Sequence, residues 1–228
     1  MSLLTLMSKN QPVGEPGPPT IYGQPFGGGF YAGRMTYEGL DYYLVVADKA
    51  SETSLAWKTT ASADAGPTHL ADGLANTNSI NDASHPAAQY CLSYTAGGFG
   101  GWYLPARDEL ELAYRNLKPS TTSNTVTTRD SNTGGGPPGI NSNSNPVGSS
   151  YTGINPAQTL SPNFQFSVGS QAFDSTGSAY WTSTQGIGAA PNTSLAIARF
   201  MAQGTELAVD KTNPTGLVRP FRRVPVEG

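Results

Sequence analysis

Cysteine occurs once in the 228 residues, at Cys91, so no disulfide can form within the chain. A secreted domain of this kind ordinarily carries a disulfide framework, and the single thiol points to folding in a cytoplasm. Charge is scarce as well. Asp, Glu, Lys and Arg together make up 13% of the chain, about half of the roughly 25% usual in a globular domain. The formal net charge is −3, and the one local basic cluster is Arg219, Arg222 and Arg223. Nucleic-acid binding needs a basic stripe, so that partner is excluded. Long apolar runs are missing too. No segment reaches the ~20 apolar residues of a membrane span, which excludes membrane insertion. Met1 to Asn10 holds Leu3, Leu4, Leu6 and Met7 but no charged start and no small-residue cleavage site, so it does not read as a signal peptide.

Catalytic chemistry is equally thin. His69 and His85 are the only histidines, and neither stands at zinc-ligand spacing from Cys or a carboxylate. Nothing marks a nucleophile elbow. Cys91 sits on the apolar face of an expected helix and reads as a small buried hydrophobe. Asp72, Asn76, Asn78 and Asp82 could supply oxygens to a hard cation, but they read better as turn residues that bond loop backbone. The expectation is no enzyme, no metal and no cofactor.

What the chain does have is Gly (27), Pro (18), Tyr (11) and abundant Ser, Thr and Asn. Its surface must be polar yet nearly uncharged, as in a loop-rich β protein or an adhesive surface. Residues 1–20 read as an extended arm, because Pro12, Pro16, Pro18 and Pro19 with Gly14 and Gly17 forbid helix or central strand. The apolar residues before the prolines favour docking of that arm on a partner.

The globular part starts near Ile21 and runs to 228. Gly27–Met35 and Tyr42–Ala47 read as two strands joined at Glu38-Gly39 in a hairpin. A helix is expected from Pro86, with Ala87, Ala88, Tyr90, Cys91 and Tyr94 on one broad face, and a short strand at Trp102–Leu104. A second helix spans about Arg107 to Leu117, where Leu110, Tyr114 and Leu117 form a single apolar stripe. Asp108 and Glu109 suit its positive N-terminal end and Pro119 stops it. Residues 120–175 form a long insertion dense in Ser, Thr, Asn and Gly; a loop of that length is uncommon unless functional or disordered. Its aromatics Tyr151, Phe164, Phe166 and Phe173, with Ile154, place its second half against the domain. Strands at Ala179–Thr184, Leu195–Phe200, Leu207–Val209 and Leu217–Val224 complete the chain.

Taken in order, these pieces resemble the DUF1566 (Lcl C-terminal domain) family in its phage tail and virion form. The resemblance rests on Gly27 to Arg34, Leu44 to Ala47, Trp57, Asp72 to Thr77, and Ala87, Ala88 and Cys91. It continues through Trp102, Leu104, Pro105, Glu109 and Leu110, then Tyr180, Trp181 and Thr182 to Thr184, and ends on Val218, Arg219, Arg222, Arg223 and Val224. It covers about residues 21–228. It implies an α+β, C-type-lectin-like fold with two helices flanking a small twisted antiparallel sheet and long loops on one side. Ala106 departs from the family, which usually has Thr or Ser as the helix cap. The calcium signatures of sugar-binding members of the wider fold are absent: no acidic residue precedes Asn155-Pro156, and Thr182-Ser183 follows Trp181.

The resemblance further implies a non-enzymatic virion component, folded in the host cytoplasm and carried on the tail. Its expected partners are other tail proteins, through residues 1–20, and a host-surface glycan or protein. Tail symmetry implies a homo-oligomer, a trimer. The distal surface is expected from 120–175 and the 185–193 loop, with Tyr151, Asn155, Phe164, Gln185 and Asn192 as binding residues. Trp102, Leu104, Pro105, Glu109, Leu110, Tyr180, Trp181, Arg219 and Arg222 are expected to be structural, the C-terminal arginines pairing with Asp108, Glu109 or Glu111. An alternative is a structural virion protein whose loops and arm bind other subunits.

Overall fold

The computed structural model describes residues 17–187 and 194–227. The chain is mixed α+β, with two five-stranded sheets and three helices among the described residues. The first sheet pairs β1 (Pro25–Phe26), β2 (Gly29–Tyr37), β3 (Leu40–Val46) and β10 (Phe221–Pro225) in that order, with β5 (Ser144–Asn145) added to β2. The second runs β4 (Thr53–Ser54), β9 (Leu217–Val218), β6 (Ala179–Gln185), β7 (Leu195–Phe200) and β8 (Glu206–Asp210). All pairings are antiparallel except the contact of β6 with β9.

The β2–β3 hairpin forms as the sequence predicts. Glu38 and Gly39 both have positive φ, 51° and 77°, the tight-turn geometry that matches the twist of the flanking strands. At Gly29 an added Cβ would collide with the Val46 carbonyl across the pair, so glycine there lets the strands close.

The expected strand Leu217–Val224 is a correction. It breaks into β9 and β10, which belong to different sheets. Pro220 has no N–H to extend a ladder; its carbonyl accepts from Ala47 N at 2.9 Å. Arg219 turns inward and donates to the carbonyls of Ala47 and Gln171, each at 2.9 Å, with its guanidinium 4.7 Å from the Phe173 ring centre. It makes no ion pair with the helix carboxylates. Arg223 does, with Nε 2.7 Å from Glu109 Oε1. Arg222 donates to Gly27 O.

Trp102–Leu104 is likewise not a strand: Tyr103 alone bridges Phe221. Its neighbours bond elsewhere, Leu104 N to the Thr77 hydroxyl and Trp102 Nε1 to Phe99 O.

The helices are α1 (Gly73–Ser79), α2 (Pro86–Ser93) and α3 (Arg107–Leu117). The expectation of two helices missed α1, whose Gly, Asn, Thr and Ser residues are poor helix formers. Its support is partly tertiary, Thr77 Oγ1 donating to Leu104 O at 3.1 Å, and partly local. Asp72 caps it by accepting from Ala75 N at 2.9 Å, and Asn76 makes a two-way bond with the backbone of His69. Asp72, Asn76 and Asp82 are thus used in local backbone and cap bonds, as the turn reading had it.

Helix α3 is the pillar between the sheets. Leu110, Ala113, Tyr114 and Leu117 pack with Met35, Leu44, Val46, Tyr103, Phe173 and Tyr180. A second cluster joins Trp57, Cys91, Leu104, Trp181 and Val218, and a third joins Phe26, Tyr31, Val45 and Trp102. Cys91 is fully buried, and burial pushes its thiol well up.

The hydroxyl missing at Ala106 is replaced by donors' partners drawn from elsewhere in the fold. Glu109 Oε2 accepts from Ala106 N at 2.7 Å, the Thr184 hydroxyl from Arg107 N at 3.2 Å, and Leu70 O from Asp108 N at 2.8 Å. A serine cap ordinarily adds ~1 kcal/mol over alanine. Here Ala106→Ser is expected to add none, because these amides are taken and Ala106 is buried. Thermal unfolding checks this; a clear rise in midpoint would contradict it.

Candidate binding surface

A sequence with few charges would be expected to place them in water. This chain buries many of them. Arg107, Asp108, Glu109, Glu111, Lys118, Arg199, Glu206, Lys211 and Arg219 are all buried among the described residues. An unpaired buried charge costs several kcal/mol, so each needs a partner. On α3, Glu109 finds its partner in Arg223; Asp108, Glu111 and Lys118 find theirs in the insertion.

Glu111 accepts from Tyr151 OH at 2.7 Å, from Asn141 Nδ2 at 2.7 Å, and from Arg115 in an ion pair. Asp108 accepts from Asn143 Nδ2 at 3.1 Å and pairs with Arg107 at 2.9 Å, while Arg107 Nη1 reaches Thr133 O at 3.0 Å. At the helix end Lys118 Nζ donates to Asn124 Oδ1 at 2.7 Å and to Pro156 O at 3.3 Å. It faces carbonyl oxygens rather than a carboxylate, and burial lowers its pKa. Burial pushes Glu109 up, against the pull of Arg223, the Ala106 amide and the Tyr103 hydroxyl. The polar face of α3 is thus a row of anchors for 120–175, which has a fixed course with almost no regular structure.

Fixing that backbone leaves apolar side chains outside. Leu160 is 94% exposed, Ile154 84%, Val168 75% and Val147 68%; Val126, Ile140 and Phe166 are also exposed. Ile21, Tyr22, Leu40, Leu74 and Leu207 are exposed elsewhere, so this segment carries most but not all of the exposed large apolar groups. Phe166 and Val168 also line an open cleft of about 500 Å³ with Lys49, Ser170 and Asp174, so an apolar wall there faces two charges of opposite sign.

The predicted binding residues fare unequally. Asn155 is exposed, on the 152–156 turn. Tyr151 is buried, and its hydroxyl is spent on Glu111. Phe164 is fully buried between Phe30 and Phe173. Gln185 donates to Asp64 O at 2.7 Å and accepts from Lys211 Nζ at 2.9 Å. Tyr151 and Phe164 therefore anchor the insertion from within, and Gln185 ties β6 to Asp64 and Lys211. Asn192 lies outside the described residues, as does most of the 185–193 loop. Of the residues read as structural, Trp102, Leu104, Leu110, Tyr180 and Trp181 are all in the core. Leu160 and Val168 were missed, although each is a lone apolar residue set among Ser, Pro and Gly, where no periodic core pattern claims it.

Among the described residues no group of three or more His, Cys, Asp and Glu is placed to hold a metal ion, and no helix is long and apolar enough to cross a membrane. Comparison of the chain with protein-family models, with curated proteins and with solved structures gave no match.

Proposed function

We propose that this chain is a non-enzymatic attachment protein of the phage virion type. In this reading a C-type-lectin-like DUF1566 domain presents the 120–175 insertion to a protein or glycan on the host surface. The observation that carries it is the pairing of exposed apolar side chains, Leu160, Phe166 and Val168 foremost, with a backbone pinned from beneath by buried α3 charges. A pre-organised loop surface loses little conformational entropy on binding. The family resemblance supplies the virion setting, and residues 1–20 would join the domain to other tail proteins.

A second reading, a structural virion protein that docks these loops on neighbouring subunits, is favoured by the apolar character of the same residues. The test pairs wild-type protein with Leu160→Ser/Phe166→Ser, both exposed positions. The double variant is expected to keep its thermal midpoint and to lose at least tenfold in binding to host cells. Equal cell binding by the two proteins would overturn the attachment surface. Burial of Leu160 and Phe166 against another subunit in the assembled particle would establish the second reading.

A further inference from the structure

We propose that the folded chain cross-links itself, by an amide bond between the side chains of Lys211, just past β8, and Gln185, at the end of β6, with Asp64 as the base. Lys211 Nζ lies 2.9 Å from Gln185 Oε1 and 2.8 Å from Asp64 Oδ2. The amide carbon of Gln185 is ~1.2 Å from its oxygen, so the nitrogen stands no more than about 4 Å from it. A reacting pair held in place meets at ~3–3.5 Å, and only a small shift of the lysine side chain separates the two.

The surroundings favour the bond over the ion. Lys58 and Lys211 share the one carboxylate of Asp64, with side chains 8% and 0% exposed. Two enclosed ammonium groups on one anion leave a positive charge without a counter-ion, and a buried charge of that kind is costly. Burial lowers the Lys211 pKa, and Lys58 adds to this against the pull of Asp64. The neutral amine is therefore within easier reach than on an exposed lysine. Making it an amide removes one positive charge and leaves Lys58 and Asp64 as a balanced pair.

The roles follow from the contacts. Asp64 Oδ1 is held by Lys58 and faces His85 Nε2, while Oδ2 faces Lys211 within the reach of a general base. Lys58 Nζ bonds Ala63 O and Asp64, so Lys211 is the nucleophile. The Asp64 amide donates to Gln185 Oε1 at 3.3 Å, where negative charge develops on attack. Gln185 Nε2 is held by Asp64 O at 2.7 Å, which fixes the plane of the amide.

The step balances without a co-reactant. Asp64 takes a proton from the Lys211 ammonium, and the freed electron pair of Nζ forms a bond to Gln185 Cδ, opening the C=O bond onto Oε1. The carbonyl re-forms as the Cδ–Nε2 bond breaks. Nε2 leaves with the proton held by Asp64 and a second one from Nζ, as an ammonium ion. Nothing is oxidised or reduced. Asp64 is 12% exposed and Ser62 and Ala63 beside it are exposed, so the ion has a short way out. The product ties the end of β6 to the end of β8 in a chain whose single cysteine allows no internal disulfide. It goes beyond the attachment reading and does not depend on it.

The experiment is mass spectrometry of the purified full chain under denaturing conditions, intact and after trypsin. The wild-type protein is expected to weigh one ammonia less than its sequence, with Lys211 uncut and the peptides bearing Gln185 and Lys211 joined. Lys211→Arg keeps the charge and Asp64→Asn removes the base; each is expected to show the full sequence mass. A wild-type chain at full sequence mass would overturn the proposal, as would an ammonia loss without joined peptides. So would a loss that persists in Lys211→Arg, or a cross-link as complete in Asp64→Asn as in wild type. The wild-type mass decides the question even if a variant does not fold.

Discussion

Replacing Glu111 by alanine is expected to loosen the whole 120–175 segment while leaving the sheets formed. Glu111 is fully buried and serves three donors, Arg115, Asn141 and Tyr151. Its removal strands a buried amide and a buried phenol and takes the counter-ion from the half-buried Arg115. Breaking a buried pair from one side costs about 3–5 kcal/mol, a large share of the ~5–15 kcal/mol that holds a domain together. At roughly 2–4 °C per kcal/mol for a chain of this size, the unfolding midpoint should fall by about 10 °C. Limited proteolysis should cut first within 120–175. Tyr151→Phe removes one neutral donor and should cost only about 1 kcal/mol. A Glu111→Ala protein as stable as Tyr151→Phe, with an uncut insertion, would show that the anchors do not carry the loop.

Asp64→Ala is expected to be comparably severe, and it adds a pH signature. The Asp64 carboxylate lies 2.6 Å from Lys58 Nζ and 2.8 Å from Lys211 Nζ. His85 Nε2 is 3.2 Å from it. Lys211 is fully buried, with its ammonium 4.6 Å from the Trp57 ring centre. Alanine would leave two lysines enclosed without their shared anion, again at about 3–5 kcal/mol. Burial raises the Asp64 pKa, but the hydrogen bonds from Lys211 and Lys58 outweigh it and the net shift is downward. The folded carboxyl thus releases its proton more readily than the unfolded one, whose pKa is about 3.9. Its stabilising contribution is complete above about pH 4–5 and is lost as the pH falls through the lower, folded-state value. Wild-type stability measured by denaturant unfolding should therefore drop on acidification below pH 4, and the drop should be smaller in Asp64→Ala. Parallel acid profiles for the two proteins would contradict this assignment.

Much of the local structure was legible from residues 21 onward. The β2–β3 hairpin was visible because β-branched and aromatic residues flank a Glu-Gly turn, and α3 because Leu110, Tyr114 and Leu117 repeat at helical spacing. The mistakes share a cause. Helix α1, the break at Arg219-Pro220 and the isolated bridge at Tyr103 are all shaped by partners far away in the chain: Leu104 and Ser183 for α1, Ala47 and Gln171 for Arg219, Phe221 for Tyr103. No local pattern records them. Tyr151 and Phe164 read from the sequence both as packing the insertion on the domain and as binding residues; both are buried, so an aromatic in this polar loop anchors the loop.

The sequence by itself determined the β2–β3 hairpin, strands β6, β7 and β8, two of the helices, the apolar stripe of α3, and the scarcity of charge, since these follow from composition and from the short-range periodicity of backbone geometry. Only the tertiary structure decided where that charge goes. Glu111, Asp108 and Lys118 look on the page like the solvent face of an amphipathic helix. Desolvation makes each costly unless it is paired, and the packed insertion supplies the pairs. The same packing turned Tyr151 and Phe164 inward and left Leu160 and Val168 at the surface, because burial depends on which segments meet in space.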